Sequence, residues 1–296
     1  MQDPIEYYSQ QYDARAAIPD HPYVFTRWVH ESARVRRSSA ALLDLAYGDA
    51  SGERLDFFPA SRSDAPLLVF IHGGWWRSLD KSDFSFIAPA YTRAGFNVAL
   101  TNYALAPAAS LEQIVSQQQR ALIWLYRHAE HYDFDPARIC VAGHSAGAHL
   151  AAMLLASDWP QLESGLRPDL LHAAILLSGL YDLEPLLHAP FIQSDLRLTP
   201  QHAALLSPAG RSPALATPFL TAVGGLESDE FKRQNALIGQ AWKAGHRADI
   251  ALPAANHLTI CDAFASAGEP LFDAVVDFLA PPSHHDRPPC ATAETA

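Results

Sequence analysis

The decapeptide VAGHSAGAHL, residues 141–150, decides how the rest of this chain is read. An apolar run from Arg138 to Ala142 leads into it and the small-residue segment AGAHLAAMLLA leads out. The first has the length and composition of a buried strand, the second that of a helix packed close to its neighbours. Between them Gly143, Ser145 and Gly147 spell G-x-S-x-G. In a strand-to-helix setting this spacing describes a nucleophile elbow, a sharp turn that lifts a serine hydroxyl above the carboxyl edge of a sheet. Side chains at the two glycines would collide with the adjoining strand and helix.

Outward from the elbow, apolar runs of strand length alternate with longer segments of helical period. The strands are expected at Leu67 to Ile71, Phe96 to Thr101, Arg138 to Ala142, Ala173 to Leu177, Pro218 to Val223 and Ala248 to Leu252. The strongest helix runs from Leu111 to His131, introduced by a Ser110–Gln113 capping box. Two weaker strands, Leu42 to Tyr47 and Arg54 to Pro59, flank GDASGE and read as an antiparallel hairpin at the sheet edge. The pattern implies an α/β fold of about eight strands, mostly parallel, with helices on both faces. Two regions fall outside it. Residues 180–216 form a long Pro-rich insertion expected to act as a small lid or binding loop. The tail 281–296, rich in Pro and small polar residues, is expected to be disordered, leaving residues 1–280 as a single domain.

The chain has 296 residues, 49% hydrophobic and 18% charged, with a formal net charge of −11. That composition supports a large core. The acidic balance disfavours nucleic acid and anionic membrane as partners, since both need clustered Lys and Arg. The start, MQDPIEYYSQ, lacks the basic and apolar regions of a signal peptide, and no apolar run has spanning length. Cys140, Cys261 and Cys290 form no motif, so a reducing cytoplasm is expected.

A serine hydroxyl is a weak nucleophile that needs a base, and the base needs an orienting carboxylate. In an elbow fold these follow in the chain order serine, acid, histidine. His257, in AANHLTI just past the last expected strand, takes the base position; His246 precedes that strand, and His284 and His285 lie in the tail. The acid comes from GGLESDEF, which offers Glu227, Asp229 and Glu230, with Asp182 as an outside candidate. Attack on a carbonyl builds negative charge on its oxygen, which preorganised amides stabilise. The loop HGGWW, residues 72–76, supplies such amides from Gly73 and Gly74, and Ala146 adds a third. His72 then braces the loop. Trp75, Trp76, Tyr103 and His144 are assigned to the substrate pocket.

Together HGGWW, GHSAGAHLAA, VGGLESDEFKRQ and NHLTI resemble the serine-hydrolase arylformamidases (kynurenine formamidases) of the α/β-hydrolase superfamily. The likeness continues upstream through YDARAAIPDHPYVFTRWVHESARVRR and LDLAYGDASGERLDFF. HSAG and HGG are shared with many esterases and lipases, whereas ESDEF-RQ and Y-RAAIPD are more particular to this family. The resemblance puts the nucleophile on Ser145, the base on His257 and the acid on Glu227, where an aspartate is common. It implies hydrolysis of N-formyl-L-kynurenine through a formyl-serine, with segments 1–40 and 180–216 covering the site. It requires neither metal nor organic cofactor. A metal-dependent formamidase would need three well-placed ligands, and HAEH at 128–131 reads instead as the end of an amphipathic helix. A small acyl or formyl substrate is the expected partner, and a homodimer is admitted. A carboxylesterase for short acyl or aryl esters uses the same residues and is the alternative. A non-enzymatic binder on this scaffold would be expected to have lost a triad member.

Overall fold

Eight strands form one sheet in the order β1-β2-β4-β3-β5-β6-β7-β8. They are β1 (Leu42–Ala46), β2 (Arg54–Phe58), β3 (Ala65–Ile71), β4 (Asn97–Thr101), β5 (Phe134–His144), β6 (Ala173–Leu177), β7 (Phe219–Gly224) and β8 (His246–Leu252). Pairing is antiparallel for β1 with β2 and β2 with β4, which makes the expected edge hairpin, and parallel throughout the rest. The computed structural model describes residues 3–280. The tail 281–296, with His284, His285 and Cys290, lies outside the described residues.

The central strands are apolar on both faces because both are covered. In β3, Leu67, Val69 and Ile71 join one core cluster while Leu68 and Phe70 join the other, as the two-residue period of a strand requires. The helix Ala146–Leu155 packs on the first face and is wholly buried. The capping box holds as expected: Ser110 accepts from the Gln113 amide and Gln113 from the Ser110 amide. That helix ends at Arg127, short of His131, because the His128 ring turns back to the Trp124 carbonyl. Asp133, with φ of 53°, then swings the chain into β5, which starts earlier than its apolar run.

The insertion 180–216 is not an open loop. It contains helices Pro190–Leu196 and Pro200–Leu205 and two 3-10 turns, each with a proline at its first or second position. A proline there forfeits no helical hydrogen bond. Leu183, Leu186 and Ile192 anchor the insertion in the core. No helix among the described residues is long and apolar enough to cross a membrane.

The strand order positions the site. β3, β5, β6, β7 and β8 are consecutive neighbours, and their carboxyl ends carry the loops holding Gly73, Ser145, Ser178, Glu227 and His257 respectively. Residues far apart in sequence thereby share one edge.

Candidate active site

Ser145 sits between β5 and its helix with φ 56° and ψ −119°, a backbone shape that an L-residue adopts only under constraint. The flanking glycine explains how the turn is tolerated: a Cβ on Gly147 would stand 2.0 Å from the Ile71 carbonyl oxygen. The elbow helix therefore lies directly on β3. Ser145 Oγ is 3.0 Å from His257 Nε2, and His257 Nδ1 is 2.6 Å from Glu227 Oε2. A carboxylate can only accept, so the proton rests on Nδ1 and Nε2 is left to accept from the serine. All three residues are buried.

Glu227 is held in place by more than the histidine. Its Oε1 accepts from Ser178 Oγ at 2.6 Å and from the Gly224 amide at 2.7 Å. Of the other acids, Asp229 is exposed at the start of the next helix, Glu230 bonds Arg233 and Tyr12, and Asp182 pairs with Arg233. None reaches His257. Ser178 was not among the sequence candidates; its signal was its place immediately after β6, a loop on the same edge as the triad.

The Gly-rich loop closes against the serine. A Cβ on Gly73 would lie 3.1 Å from Ser145 Cβ and 2.8 Å from the His144 carbonyl oxygen, so only glycine lets this backbone approach. Gly74 has φ of 103°, and Trp75 and Trp76 follow at 54° and 53°, a left-handed run that turns the chain away from the sheet. Among the described residues the amides of Gly73, Gly74 and Ala146 donate to no backbone carbonyl. His72 braces the loop, its ring 2.8 Å from Gly73 O and 2.9 Å from Asn102 Oδ1. Burial holds its pKa below the ordinary imidazole value.

Three residues assigned to the substrate pocket do other work. The Tyr103 hydroxyl donates to the His72 carbonyl at 2.9 Å and its ring stacks on His72 at 4.5 Å, underneath the loop. His144 Nε2 donates to the His257 carbonyl at 2.7 Å, fixing the backbone that carries the His257 ring. Burial, and then the neighbouring His257, hold the His144 pKa well below its ordinary value. Trp76 is fully buried, edge-on to His149 at 5.0 Å. Polar atoms with no water to bond had to find backbone partners, which turned two of these side chains inward. Trp75 alone of the four is part-exposed, within 6.4 Å of the rings of Tyr12, Phe191 and Phe231.

Those contacts bring in residues that sequence reasoning did not assign. The N-terminal helix Pro4–Tyr12 ends beside the acid loop, where the buried Tyr12 hydroxyl bonds Glu230 at 2.9 Å and Gln234 at 3.0 Å. Phe231 lies 4.3 Å from the His257 ring, centroid to centroid. Among the described residues no group of three or more His, Cys, Asp or Glu side chains is placed to hold a metal ion, HAEH included.

The BD-FAE family model matches residues 55–169. The kynurenine formamidases of Danio rerio and Salmo salar are each 34% identical to this chain over 209 residues. The match covers 68% of this chain, and 69% and 68% of theirs. The chain belongs to the kynurenine formamidase family. A crystal structure of a protein assigned as a thioesterase, from silicibacter sp. tm1040, superposes with a TM-score of 0.79 at 27% identity, covering 92% of this chain and 98% of that one. The fold is that of the α/β-hydrolases, and the protein is a hydrolase.

Proposed function

We propose that this protein hydrolyses N-formyl-L-kynurenine, or a close N-formyl arylamine, to formate and the free amine, with Ser145 as nucleophile, His257 as base and Glu227 as its orienting acid. The observation that carries the reading is the unbroken chain from Glu227 Oε2 through both His257 nitrogens to Ser145 Oγ. Family membership supports the substrate. His257 takes the serine proton as Oγ attacks the formyl carbon. The developing oxyanion is met by the amides of Gly73, Gly74 and Ala146, each such donor contributing roughly 3 kcal/mol. His257 then protonates the departing nitrogen, and water removes the formyl group by the same route in reverse. Trp75 borders the substrate.

Residues 1–280 act as one hydrolase domain, with segments 1–40 and 180–216 covering the site. A small acyl or formyl compound is the partner, and the net charge of −11 supports a reading without nucleic acid. Placement in the cytoplasm completes the proposal, which leaves room for a homodimer.

An ester would meet the same groups, and the likeness to a protein assigned as a thioesterase is the observation on that side. The rates on N-formyl-L-kynurenine and p-nitrophenyl acetate, with Ser145→Ala in parallel, separate the readings. A much higher kcat/KM for the formamide, abolished by Ser145→Ala, upholds the formamidase. Ester cleavage alone, still through Ser145, makes it an esterase; unchanged rates in Ser145→Ala would sink the triad.

A further inference from the structure

We propose that Ser178 is a positioning residue for the triad: its hydroxyl keeps the Glu227 carboxylate turned to His257, while its backbone ties the strand of the acid to that of the nucleophile. The proposal rests on the triad reading above and adds to it a fourth residue that acts only through the acid. β6 lies between β5, which leads into Ser145, and β7, which leads toward Glu227. Ser178 is the first residue past its end at Leu177. The Leu177 carbonyl accepts from the Ser145 amide at 2.8 Å, and the Ser178 amide donates to the Ala222 carbonyl of β7, also at 2.8 Å. Both groups belong to one peptide unit, which is planar and trans, so its C=O and N–H point in opposite directions and cannot swing independently. A single rigid plane therefore joins the backbone of the nucleophile to the strand that carries the acid loop.

The side chain of Ser178 makes the same connection a second time. It is fully buried, and among the described residues its hydroxyl has one partner, Glu227 Oε1 at 2.6 Å, 49 residues further along the chain. A serine that merely filled a turn would bond backbone groups a few residues away. A carboxylate only accepts, so the serine donates, and 2.6 Å is the length of a hydrogen bond strengthened by charge. The Gly224 amide donates to the same oxygen at 2.7 Å, which leaves Oε2 for His257 Nδ1. A glutamate has one more torsion to fix than an aspartate, and two donors on one oxygen fix it. The backbone of Ser178 has φ of 49°, a left-handed shape that a serine keeps only where its surroundings impose it. Glycine would adopt that shape freely, so a serine in this place points to its hydroxyl.

The test measures kcat and KM for Ser178→Ala and Ser178→Gly on N-formyl-L-kynurenine and on p-nitrophenyl acetate. Both variants should lower kcat about tenfold on whichever substrate is turned over, the scale of one hydrogen bond to a charged group, with KM held within about twofold. Ser178→Gly relieves the backbone and lacks the hydroxyl, so it separates the two roles. Full activity in that variant would overturn the proposal. A second readout places Ser178→Ala on a Glu227→Ala background. With no carboxylate left to hold, loss of the hydroxyl should there cost less than about twofold. An equal loss in both backgrounds would mean that the hydroxyl does not act through Glu227, and would overturn the proposal as well. Ser145→Ala keeps the failures apart. Activity retained in it sinks the triad reading, whereas activity lost in it but kept in both Ser178 variants sinks this proposal alone.

Discussion

The two sides of the site are held in opposite ways. The loop 72–80 is fastened to its own sheet by closely spaced polar contacts: His72 to Gly73 and Asn102, Tyr103 to His72, and Asn102 to Asp80 at 2.7 Å. All of these partners fall within about thirty residues of sequence. The N-terminal helix has no such lattice. Its inner end is held by two residues: Gln11, which accepts from the Glu230 amide, and Tyr12, bonded to Glu230 and Gln234 more than two hundred residues away and edge-on to Trp75 and Phe231. On the proposed mechanism the amides of Gly73, Gly74 and Ala146 must not reorganise during the reaction, whereas a proposed cover would have to let substrate past to a serine that is 2% exposed. Density of buried polar contacts is what distinguishes the two sides.

The largest test of this contrast lies in the fixed machinery. Glu227→Gln should lower kcat by about 10³- to 10⁴-fold with little change in KM, since the wrong histidine tautomer is then favoured. Asp229→Asn should stay within about twofold; a comparable loss there would move the acid. Gly73→Ala should lower kcat by about 10²-fold, because its methyl group meets Ser145 and displaces the amides.

A third fastening ties the insertion to the elbow helix, where His149 Nε2 donates to the Leu206 carbonyl at 2.8 Å. Burial lowers the His149 pKa from 6.5 to about 4. The folded protein thus prefers the neutral ring, so this group's stabilisation is whole above pH 6.5 and is lost as pH falls toward 4. About 2 kcal/mol should be gone by pH 5, and urea unfolding of His149→Gln should show a correspondingly flatter pH dependence. An unchanged slope would place the acid sensitivity elsewhere.

The smallest effect belongs to the N-terminal helix. Tyr12→Phe should raise KM about threefold while kcat holds, and should speed amide exchange in residues 4–12, because Glu230 keeps Arg233 as partner. A fall in kcat as large as that of Gly73→Ala would break the distinction between the two sides.

The fold was legible because its signals are local. A strand covered on both faces must be apolar throughout, as in β3 and β6, and the elbow needs glycine where Gly147 meets Ile71. The same locality brought out Ser145, His257 and the glycine loop as candidates, since each ends a strand or opens a helix. Side-chain direction was not legible. His144 lies inside the elbow motif and Tyr103 just past β4, yet burial turned their polar atoms toward backbone carbonyls. Ser178 carries no motif, and Tyr12 and Phe231 lie in family-like stretches that assign them no role; they reach Glu227, Glu230 and His257 only through sheet order and helix docking. Sequence by itself determined which backbone shapes and which reactive groups the chain contains, because those depend on neighbours a few residues away. The resemblance had put the acid on Glu227, but only the tertiary structure shows which carboxylate turns to the histidine and which side chains close round Ser145, because those depend on loops that sheet order and helix docking bring together.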